Sequence, residues 1–503
     1  MLNSIQQSVR SFILFCTLAR CRTASSFMRE NKYKSPLRII TYLLECILGI
    51  FGQKPDYSLP CFSRTCVAMG VTYIKFGQLL STRPDLVGEY IAKDLSTLQE
   101  NVPVFSHNIA EEIVSKSLND SIDKIFKYFS TPISGASLSQ VHQAIDMHDT
   151  RLAVKVIRPT IRQQIHKDCG TLMWLANILC RMSSECYRCR LEDVVKEFQE
   201  TLYTEADLRN EATEIELFKD IVCNNPDIII PRPYHNLSSK NVLVTSWIDG
   251  IRVDDYDEIK RSNCNTLKMS EMILRTFFET TLHHGVFHAD MHHGNIRITP
   301  ENKLVLFDFG ITGYLDLPTR RAYAEILHGI ITGDYVMATQ AHKRAGYIPI
   351  DTCEHKFAMA LRTISKSILL NNRNNFSISH LLVKMFETTR IFGMQTQPQL
   401  ILLQKTMLNV EGIARALNPS VNIYAVAKPV VQQWVKEHSG PCHIFVDICQ
   451  KINNFDKVVA RTDKILRDIE NRQKRSDNIT IKNKIYISII IAIITLYILY
   501  KTS

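Results

Sequence analysis

The sequence of 503 residues predicts an α+β fold with two lobes, preceded by a helical extension and followed by a membrane segment. Strand patterns fill residues 126–160, helical patterns follow to residue 222, short strands return before residue 310, and helices dominate from residue 317. This order of elements indicates the lobes, and a C-terminal apolar run indicates the membrane segment. We therefore expect four parts: a helical N-terminal extension (1–125), a strand-rich lobe (126–250), a mostly helical lobe (251–450), and a basic linker with a membrane anchor (451–503).

The charge of the chain limits the classes of ligand. Its net charge of +10 favours an anionic partner: nucleic acid, an anionic membrane surface or phosphate groups. The basic runs contain no nucleic-acid motif and no interleaved stacking aromatics, so we expect no nucleic-acid partner. The 14 cysteines are scattered, which is typical of free thiols in a reducing compartment.

Within the extension, the segment Ile39–Phe51 has the pattern of an amphipathic helix. Such a helix is a candidate for contact with a membrane surface. The strand-rich lobe opens with "PISGASLSQVH", residues 132–142, which has one glycine among small residues. Backbone N–H groups approach phosphate closely where side chains are small, and serine hydroxyls add donors. This loop is a candidate phosphate cover through Ser134, Gly135, Ala136 and Ser137, and the alternative is an ordinary surface hairpin.

Five polar residues recur in the order that phosphoryl transfer requires. Lys155 lies on an apolar strand, Glu211 on a charged helix, Asp290 and Asn295 span D-x-x-x-x-N, and Asp308 opens "DFG". A loop aspartate activates the acceptor, an asparagine and a second aspartate hold Mg²⁺, and a strand lysine held by a helix glutamate binds phosphates. Each motif alone is weak, but the ordered set is typical of a protein-kinase-like fold.

The stretch "HHGVFHADMHHGN", residues 283–295, raises a competing interpretation, because its histidines resemble metal ligands. Adjacent histidines on a tight loop rarely converge on one ion, so we expect them to frame Asp290 and Asn295 instead. His288 stands two residues before Asp290, where protein kinases carry the histidine of H-R-D. A lone C-x-x-C, Cys186–Cys189, lacks a second ligand pair and is more typical of packing than of a metal or redox site.

The C-terminal run Ile485–Tyr500 contains no charged residue and approaches the length of about 20 residues that spans a bilayer. Lysines and arginines are frequent before it, whereas only Lys501 follows it, and this asymmetry predicts a cytoplasmic catalytic part. A buried strand or core helix is the alternative. With no clear leader at the N-terminus, we expect a bacterial inner membrane rather than a mitochondrial inner membrane.

Several motifs together resemble the UbiB family of atypical kinases of ubiquinone biosynthesis, over roughly residues 60–320. The family's P-I-A-A-A-S-I-A-Q-V-H is similar to "PISGASLSQVH", its K-x-G-Q to "KFGQ" (Lys75–Gln78), and its E-x-D to "EAD" (Glu205–Asp207). Its H-A-D-P-H-P-G-N is similar to "HADMHHGN", and "DFG" is intact.

The resemblance implies a role for each matched residue, with ATP and Mg²⁺ as cofactors. It also implies ATPase activity coupled to membrane lipids, and quinone intermediates or other ubiquinone-biosynthesis enzymes as partners. The implied roles are phosphate contact (Lys155), its helix partner (Glu211), catalysis (Asp290), Mg²⁺ binding (Asn295, Asp308), the adenine-contacting hinge (Ser246, Trp247, Ile248), a cover over the site (Lys75, Gly77, Gln78) and attachment of that cover (Glu205, Asp207).

The chain departs from the family pattern at four positions. Met291 and His293 replace two prolines, which predicts a less rigid catalytic loop. Ser134 and Gly135 interrupt the alanine run and predict a looser nucleotide site. Two alternatives remain: a nucleotide-binding pseudokinase scaffold for quinone-biosynthesis enzymes, and a small-molecule kinase resembling aminoglycoside phosphotransferases.

Overall fold

A computed structural model describes residues 2–30, 35–81, 83–98, 103–182, 191–370 and 398–438, together with residues 384 and 392. Residues through Trp434 belong to one compact unit, and Val435–Ser503 to a second. The predicted membrane segment Ile485–Tyr500 and the pair Cys186–Cys189 lie outside the described residues, so both stay predictions. Among the described helices, none combines the length and the apolar character that a bilayer span needs.

The N-terminal extension is helical in its described part. Its helix α3 includes most of the predicted amphipathic segment and exposes Tyr42, Leu43, Leu44 and Ile47 to solvent. The helices are α1 (Leu2–Arg20), α2 (Thr23–Glu30), α3 (Ser35–Leu48), α4 (Cys61–Met69), α5 (Val71–Ser81), α6 (Pro84–Val87) and α7 (Glu89–Leu95).

The first lobe is built on an antiparallel sheet of strand order β1-β2-β3-β5. Its buried face includes Leu152, Val154 and Val156, which alternate along β3 as a half-buried strand requires. Lys155 lies between them on the opposite face, paired with Val141 of β2 and Leu243 of β5. The elements are α8 (His107–Leu118), α9 (Ile122–Ile125), β1 (Phe126–Gly135), β2 (Ser139–Asp146), β3 (Arg151–Ile157), α10 (Ile161–Met182), α11 (Leu191–Glu205), α12 (Leu208–Ile221), β4 (Ile228–Ile229) and β5 (Val242–Ser246).

The second lobe is mostly helical, with short strands that position two loops. The strands lie in two sheets, of order β4-β9-β8-β6 and β10-β7. The elements are β6 (Ile251–Arg252), α13 (Tyr256–Arg261), α14 (Thr266–Glu279), β7 (Val286–His288), β8 (Ile296–Ile298), β9 (Leu304–Leu306), β10 (Thr312–Tyr314), α15 (Leu317–Thr332), α16 (Tyr335–Arg344), α17 (Glu354–Leu370), α18 (Pro398–Leu417) and α19 (Ile423–His438).

These short strands bring the two predicted site loops together. Residues 289–295 connect β7 to β8, and residues 307–311 connect β9 to β10. Because β7 pairs with β10 and β8 pairs with β9, both loops emerge at the same place. The predicted α+β fold with a helical extension is thereby confirmed.

The helix before the catalytic loop ends in a turn that is wider than an α-helical turn. Helix α14 ends at Glu279, and a wider π-type turn covers Thr280–His284 before Gly285, whose φ is +73°. Arg320 donates from its guanidinium to the carbonyl of His283 at 3.0 Å and so satisfies a carbonyl at the end of the turn.

Candidate active site

Lys155 holds two carboxylates at once. Its Nζ donates to Glu211 Oε1 and to Asp308 Oδ1, each at 2.8 Å. The Glu211 side chain is 7% exposed, and that of Asp308 remains 35% exposed. The three residues come from β3, α12 and the loop after β9, so this cluster joins the two lobes at one lysine.

The charges of this cluster follow from its partners. Burial opposes a positive charge on Lys155, but Asp308 and Glu211 outweigh it and raise the pKa of the lysine. Burial likewise opposes ionisation of Asp308, yet Lys155 overcomes it and holds the pKa of that carboxyl well below its usual range. Glu211 is buried more fully, and burial raises its pKa to about 7 although Lys155 opposes the rise. Asp308 is therefore an anion beside a cation at neutral pH.

His288 frames the catalytic loop, as the sequence predicts. Its Nε2 donates to the carbonyl of Phe307 at 2.9 Å, and its Nδ1 accepts from the N–H of Asp290 at 3.2 Å. Burial lowers its pKa and outweighs the Phe307 carbonyl, so the ring stays neutral and one tautomer satisfies both bonds. The ring lies 4.9 Å from that of Phe309. His288 thus links the loop of Asp290 to the loop of Asp308.

Asn295 is oriented by the catalytic loop itself. Its Nδ2 donates to the carbonyl of Asp290 at 3.0 Å, and within the described structure its Oδ1 accepts no hydrogen bond. Asp308 has a left-handed φ of +56°, an uncommon conformation for a residue other than glycine. An amide oxygen without a partner and an ionised carboxylate are oxygen ligands of the kind that Mg²⁺ prefers, so these residues fit the ion.

The other loop histidines do not assemble a metal site. His292 Nδ1 accepts from the N–H of Gly294 at 3.0 Å, and its Nε2 lies 3.9 Å from Asp290 Oδ2. Burial lowers the pKa of His293, with Asp254 opposing the change. Across the described residues, no group of three or more His, Cys, Asp or Glu side chains is arranged to hold a metal ion. The histidine-rich metal alternative therefore has no ligand cluster there.

The small-residue loop is fixed by an arginine that the motifs did not single out. Arg158 donates from its side chain to the carbonyls of Ala136 and Ser137, at 2.9 and 2.8 Å. Ser134, Gly135 and Ala136 line a cavity that Lys155 also lines, and Ser137 is buried. The available sequence signal was a basic residue at the end of the lysine strand, within a few residues of Lys155.

The predicted hinge has one position with a free backbone donor. The N–H of Ser246 donates to the carbonyl of Arg232 at 2.9 Å, and that of Trp247 to the carbonyl of Arg151 at 3.1 Å. In the described part of the chain, the N–H of Ile248 makes no hydrogen bond, and this residue lines the cavity. Ile248 is therefore the hinge residue whose backbone N–H is available to a base edge.

The extension reaches the cavity through α5. Lys75 Nζ lies 3.2 Å from Glu205 Oε2, and both side chains are about nine-tenths buried. Gln78 Nε2 donates to the carbonyl of Leu98 at 3.5 Å. Gly77 permits close packing, because a Cβ there would lie 2.5 Å from Leu98 Cδ1.

The two carboxylates of "EAD" have different environments. Glu205 contacts Lys75, whereas Asp207 is the N-cap of α12 and accepts from the N–H of Arg209 at 3.2 Å. Arg209 also donates to Asp207 from its guanidinium, and Asp207 does not line the cavity. Glu205 thus contacts the extension, whereas Asp207 lies at the N-terminus of the helix that carries Glu211.

A cavity of about 1080 Å³ connects these groups. The small-residue loop, Lys155, the hinge and Phe307 line it. Residues of α5, α11 and α18 line it as well. In α18, the buried Thr406 donates from Oγ1 to the carbonyl of Ala289 at 3.2 Å. No sequence motif pointed to this helix as a wall of the site.

Comparison with known proteins identifies the family. The ABC1 atypical kinase-like domain matches residues 97–342, and the UbiB helical domain matches residues 361–422. A protein of Marinobacter nauticus, named probable protein kinase UbiB, is 35% identical over 83% of this chain and 77% of its own length. The probable protein kinase UbiB of Histophilus somni is 34% identical over 88% of this chain and 83% of its own length. The chain belongs to the UbiB family.

The resemblance that the motifs carry is thus confirmed. The UbiB helical domain includes all of α18, so the Thr406 contact joins this domain to the loop of the kinase-like domain. A solved structure of Rv3197 with erythromycin, from Mycobacterium tuberculosis, is similar at 20% identity and a TM-score of 0.49, over 70% of this chain and 90% of that one.

Proposed function

We propose that this UbiB-family protein is a Mg·ATP-dependent atypical kinase or ATPase that supports ubiquinone biosynthesis at a membrane. The observation that carries the proposal is the double hydrogen bond of Lys155 to Glu211 and Asp308, in the cavity that Asp290 and Asn295 also line. These are the parts that phosphoryl transfer uses, and an inactive scaffold has no need for all of them.

Each residue has a task in this mechanism. Lys155 binds phosphate oxygens and keeps its charge because the two carboxylates support it. Asp290, oriented by the bond from its N–H to His288, accepts the proton of the acceptor hydroxyl or of water. Asn295 and Asp308 would hold Mg²⁺, which neutralises charge on the phosphates when it is bound.

The membrane part of the proposal has separate support. Helix α3 exposes a row of large apolar side chains, and the chain carries a net charge of +10 that favours anionic surfaces. The relatives bear the name UbiB, which associates the family with ubiquinone. We propose attachment to a bacterial inner membrane with the catalytic part cytoplasmic, and membrane lipid, quinone intermediates and other ubiquinone-biosynthesis enzymes as partners.

Hydrolysis of Mg·ATP by the purified full chain tests the catalytic proposal. We expect Asp308→Asn to reduce hydrolysis by at least roughly a hundredfold, because the charged metal ligand is lost. Asp227→Asn is a matched control, since Asp227 also accepts from a lysine, Lys268, at 2.7 Å and is similarly exposed. We expect this control to retain hydrolysis, and we expect anionic liposomes to stimulate the wild type.

The scaffold alternative predicts a different outcome. Nucleotide binding without hydrolysis in every condition, with or without liposomes, would contradict the catalytic proposal. The cellular counterpart is Asp290→Asn, which we expect to keep the fold and lose ubiquinone synthesis in a strain that depends on this protein. Synthesis equal to that of the wild type would exclude an enzymatic role.

A further inference from the structure

The cavity has lining residues besides the loop, the lysine and the hinge that a nucleotide would contact. Its volume of about 1080 Å³ lies at the upper end of the range for single small-molecule sites, roughly 300–1000 Å³. Apolar side chains from α5, α11, α18 and the segment after α7 also line it, and we call the part that they line the far part. They are Leu79, Leu98, Phe198, Leu202 and Leu402.

Helix α18 fixes one wall of this far part. The hydrogen bond from Thr406 to the carbonyl of Ala289 is buried, and Ala289 immediately precedes Asp290 in the chain. Leu402, Lys405 and Asn409 lie on one face of the helix at spacings of three and four residues, and all of them line the cavity. The helix that packs on the catalytic loop therefore carries Lys405 in the wall of the cavity that Asp290 also lines.

Lys405 differs from the other lysines of the cavity. Lys155 has two carboxylate partners and Lys75 has Glu205, whereas Lys405 has no hydrogen-bond or ion-pair partner among the described residues. It is partly buried, and burial of an ammonium group without a counter-ion is unfavourable. Glu197, Thr201 and Asn409 also line the cavity, so its wall is mixed in polarity. An unpartnered cation in such a wall is a site for an anionic group, because a charge-assisted hydrogen bond would satisfy it.

We propose that the far part of the cavity is a binding subsite for a small amphipathic molecule. This molecule carries one anionic group, carboxylate or phosphate, on an apolar body. Lys405 binds the anionic group, and Leu402 with Phe198 and Leu202 contacts the body. The inference rests on the proposed function in one respect: the nucleotide takes the part of the cavity lined by Lys155 and the hinge, which leaves the far part to this molecule.

Two probes of equal shape test the subsite: 4-butylbenzoate, which is anionic, and 4-butylbenzamide, which is neutral. Their affinities are measured by calorimetry on the full chain in one detergent, with and without saturating Mg²⁺ and a non-hydrolysable ATP analogue. We expect the wild type to bind the benzoate roughly tenfold more tightly than the benzamide, because a hydrogen bond to a charged group separates them. We expect Lys405→Met to abolish this preference and Lys405→Arg to keep most of it.

A second variant separates the apolar wall from the charge. Leu402→Asn is expected to weaken both probes by similar factors and to leave their ratio unchanged, while thermal unfolding of each variant checks the fold. Equal binding of the two probes by the wild type would overturn the proposal, and so would a preference that survives in Lys405→Met. Competition between the benzoate and the ATP analogue would overturn it as well, since that result places the probe in the nucleotide part.

The same measurements distinguish a failure of the subsite proposal from a failure of the proposed function. If the analogue does not bind but the Lys405-dependent preference persists without it, the subsite stands and nucleotide chemistry fails. If the analogue binds and the preference is absent, the subsite fails and the nucleotide site stands.

Discussion

Two lysines enter the same cavity from different parts of the chain, and their carboxylate partners differ. Lys155 of the kinase-like domain bonds to Glu211 and Asp308, each at 2.8 Å, whereas Lys75 of the extension lies 3.2 Å from Glu205. Both lysine side chains are mostly buried. In the proposed function, the first cluster positions residues that act on phosphate, and the second holds the extension as a cover over the site. Similar ion pairs would then position catalytic residues in one region and control access to the site in the other.

The largest effect should come from removing the first lysine. Lys155→Met leaves two carboxylates close together without their cation, and we expect a loss of roughly 3–5 kcal/mol in the free energy of unfolding. Hydrolysis of Mg·ATP should be lost as well. Denaturant unfolding measures the first effect, with Lys127→Met as the control because Lys127 pairs with Asp149 in solvent. If the additional change Glu211→Gln restores no stability, carboxylate repulsion is not the cause.

A buried basic side chain without a carboxylate partner should behave differently from Lys155, because burial lowers its pKa and keeps it neutral. His342 is fully buried between Tyr347 and Phe357, and burial lowers its pKa to about 4 although the Ala338 carbonyl opposes the change. The unfolded chain takes up this proton below about pH 6.5 and the folded chain does not. Stability should therefore fall as the pH decreases from about 6.5 to 4, by about 3 kcal/mol from this residue.

His342→Asn, which keeps a donor for the Ala338 carbonyl, should flatten this part of the stability profile. The exposed His148→Asn is the control and should leave the profile unchanged. The same slope in wild type and His342→Asn would assign the acid sensitivity to other groups.

Removal of the second lysine should cost less than removal of the first. Lys75→Met leaves Glu205 without this partner, and we expect a loss of roughly 1–3 kcal/mol, with faster release of a bound fluorescent nucleotide because the cover loosens. Lys75→Arg keeps the charge and should retain most of both properties. If Lys75→Met lost as much free energy of unfolding as Lys155→Met, that result would contradict the different roles proposed for the two lysines.

The smallest effect should come from the second carboxylate of "EAD". Asp207→Ala removes an N-cap and should cost roughly 1 kcal/mol, while Asp207→Asn keeps a capping oxygen and should be nearly neutral. Neither change should alter nucleotide release, because Asp207 does not line the cavity. Faster release in Asp207→Asn would show that Asp207 attaches the cover after all.

The sequence was sufficient for the residues that meet at Lys155. Each of them belongs to a motif with its own local context: a strand lysine, a helix glutamate, and an aspartate in a loop that follows a short strand. The fold class was predictable for the same reason, since periodicity changes from two to 3.6 where the lobes meet. The helix end at Glu279 was less predictable, because the turn beyond it depends on Arg320, a residue from a later helix.

Other features of the site depend on pairings that no local pattern encodes. "EAD" does not reveal that Glu205 faces α5 while Asp207 caps its own helix. The hinge motif does not reveal that Ser246 and Trp247 use their N–H groups within the sheet and its neighbours, so that Ile248 remains available. Helix α18 lies more than a hundred residues beyond Asp290, and only the folded chain places Thr406 on Ala289.

The hydrogen bond from Thr406 to Ala289 also bears on how this protein can be divided. A fragment cut at the limits of the kinase-like domain, residues 97–342, would lose α18 and leave the Ala289 carbonyl without its Thr406 donor. The two family domains match separate stretches of the sequence, but a buried hydrogen bond from Thr406 to Ala289 joins them. Recombination that exchanges one of them between relatives would have to preserve that junction, so we expect the pair to be inherited together.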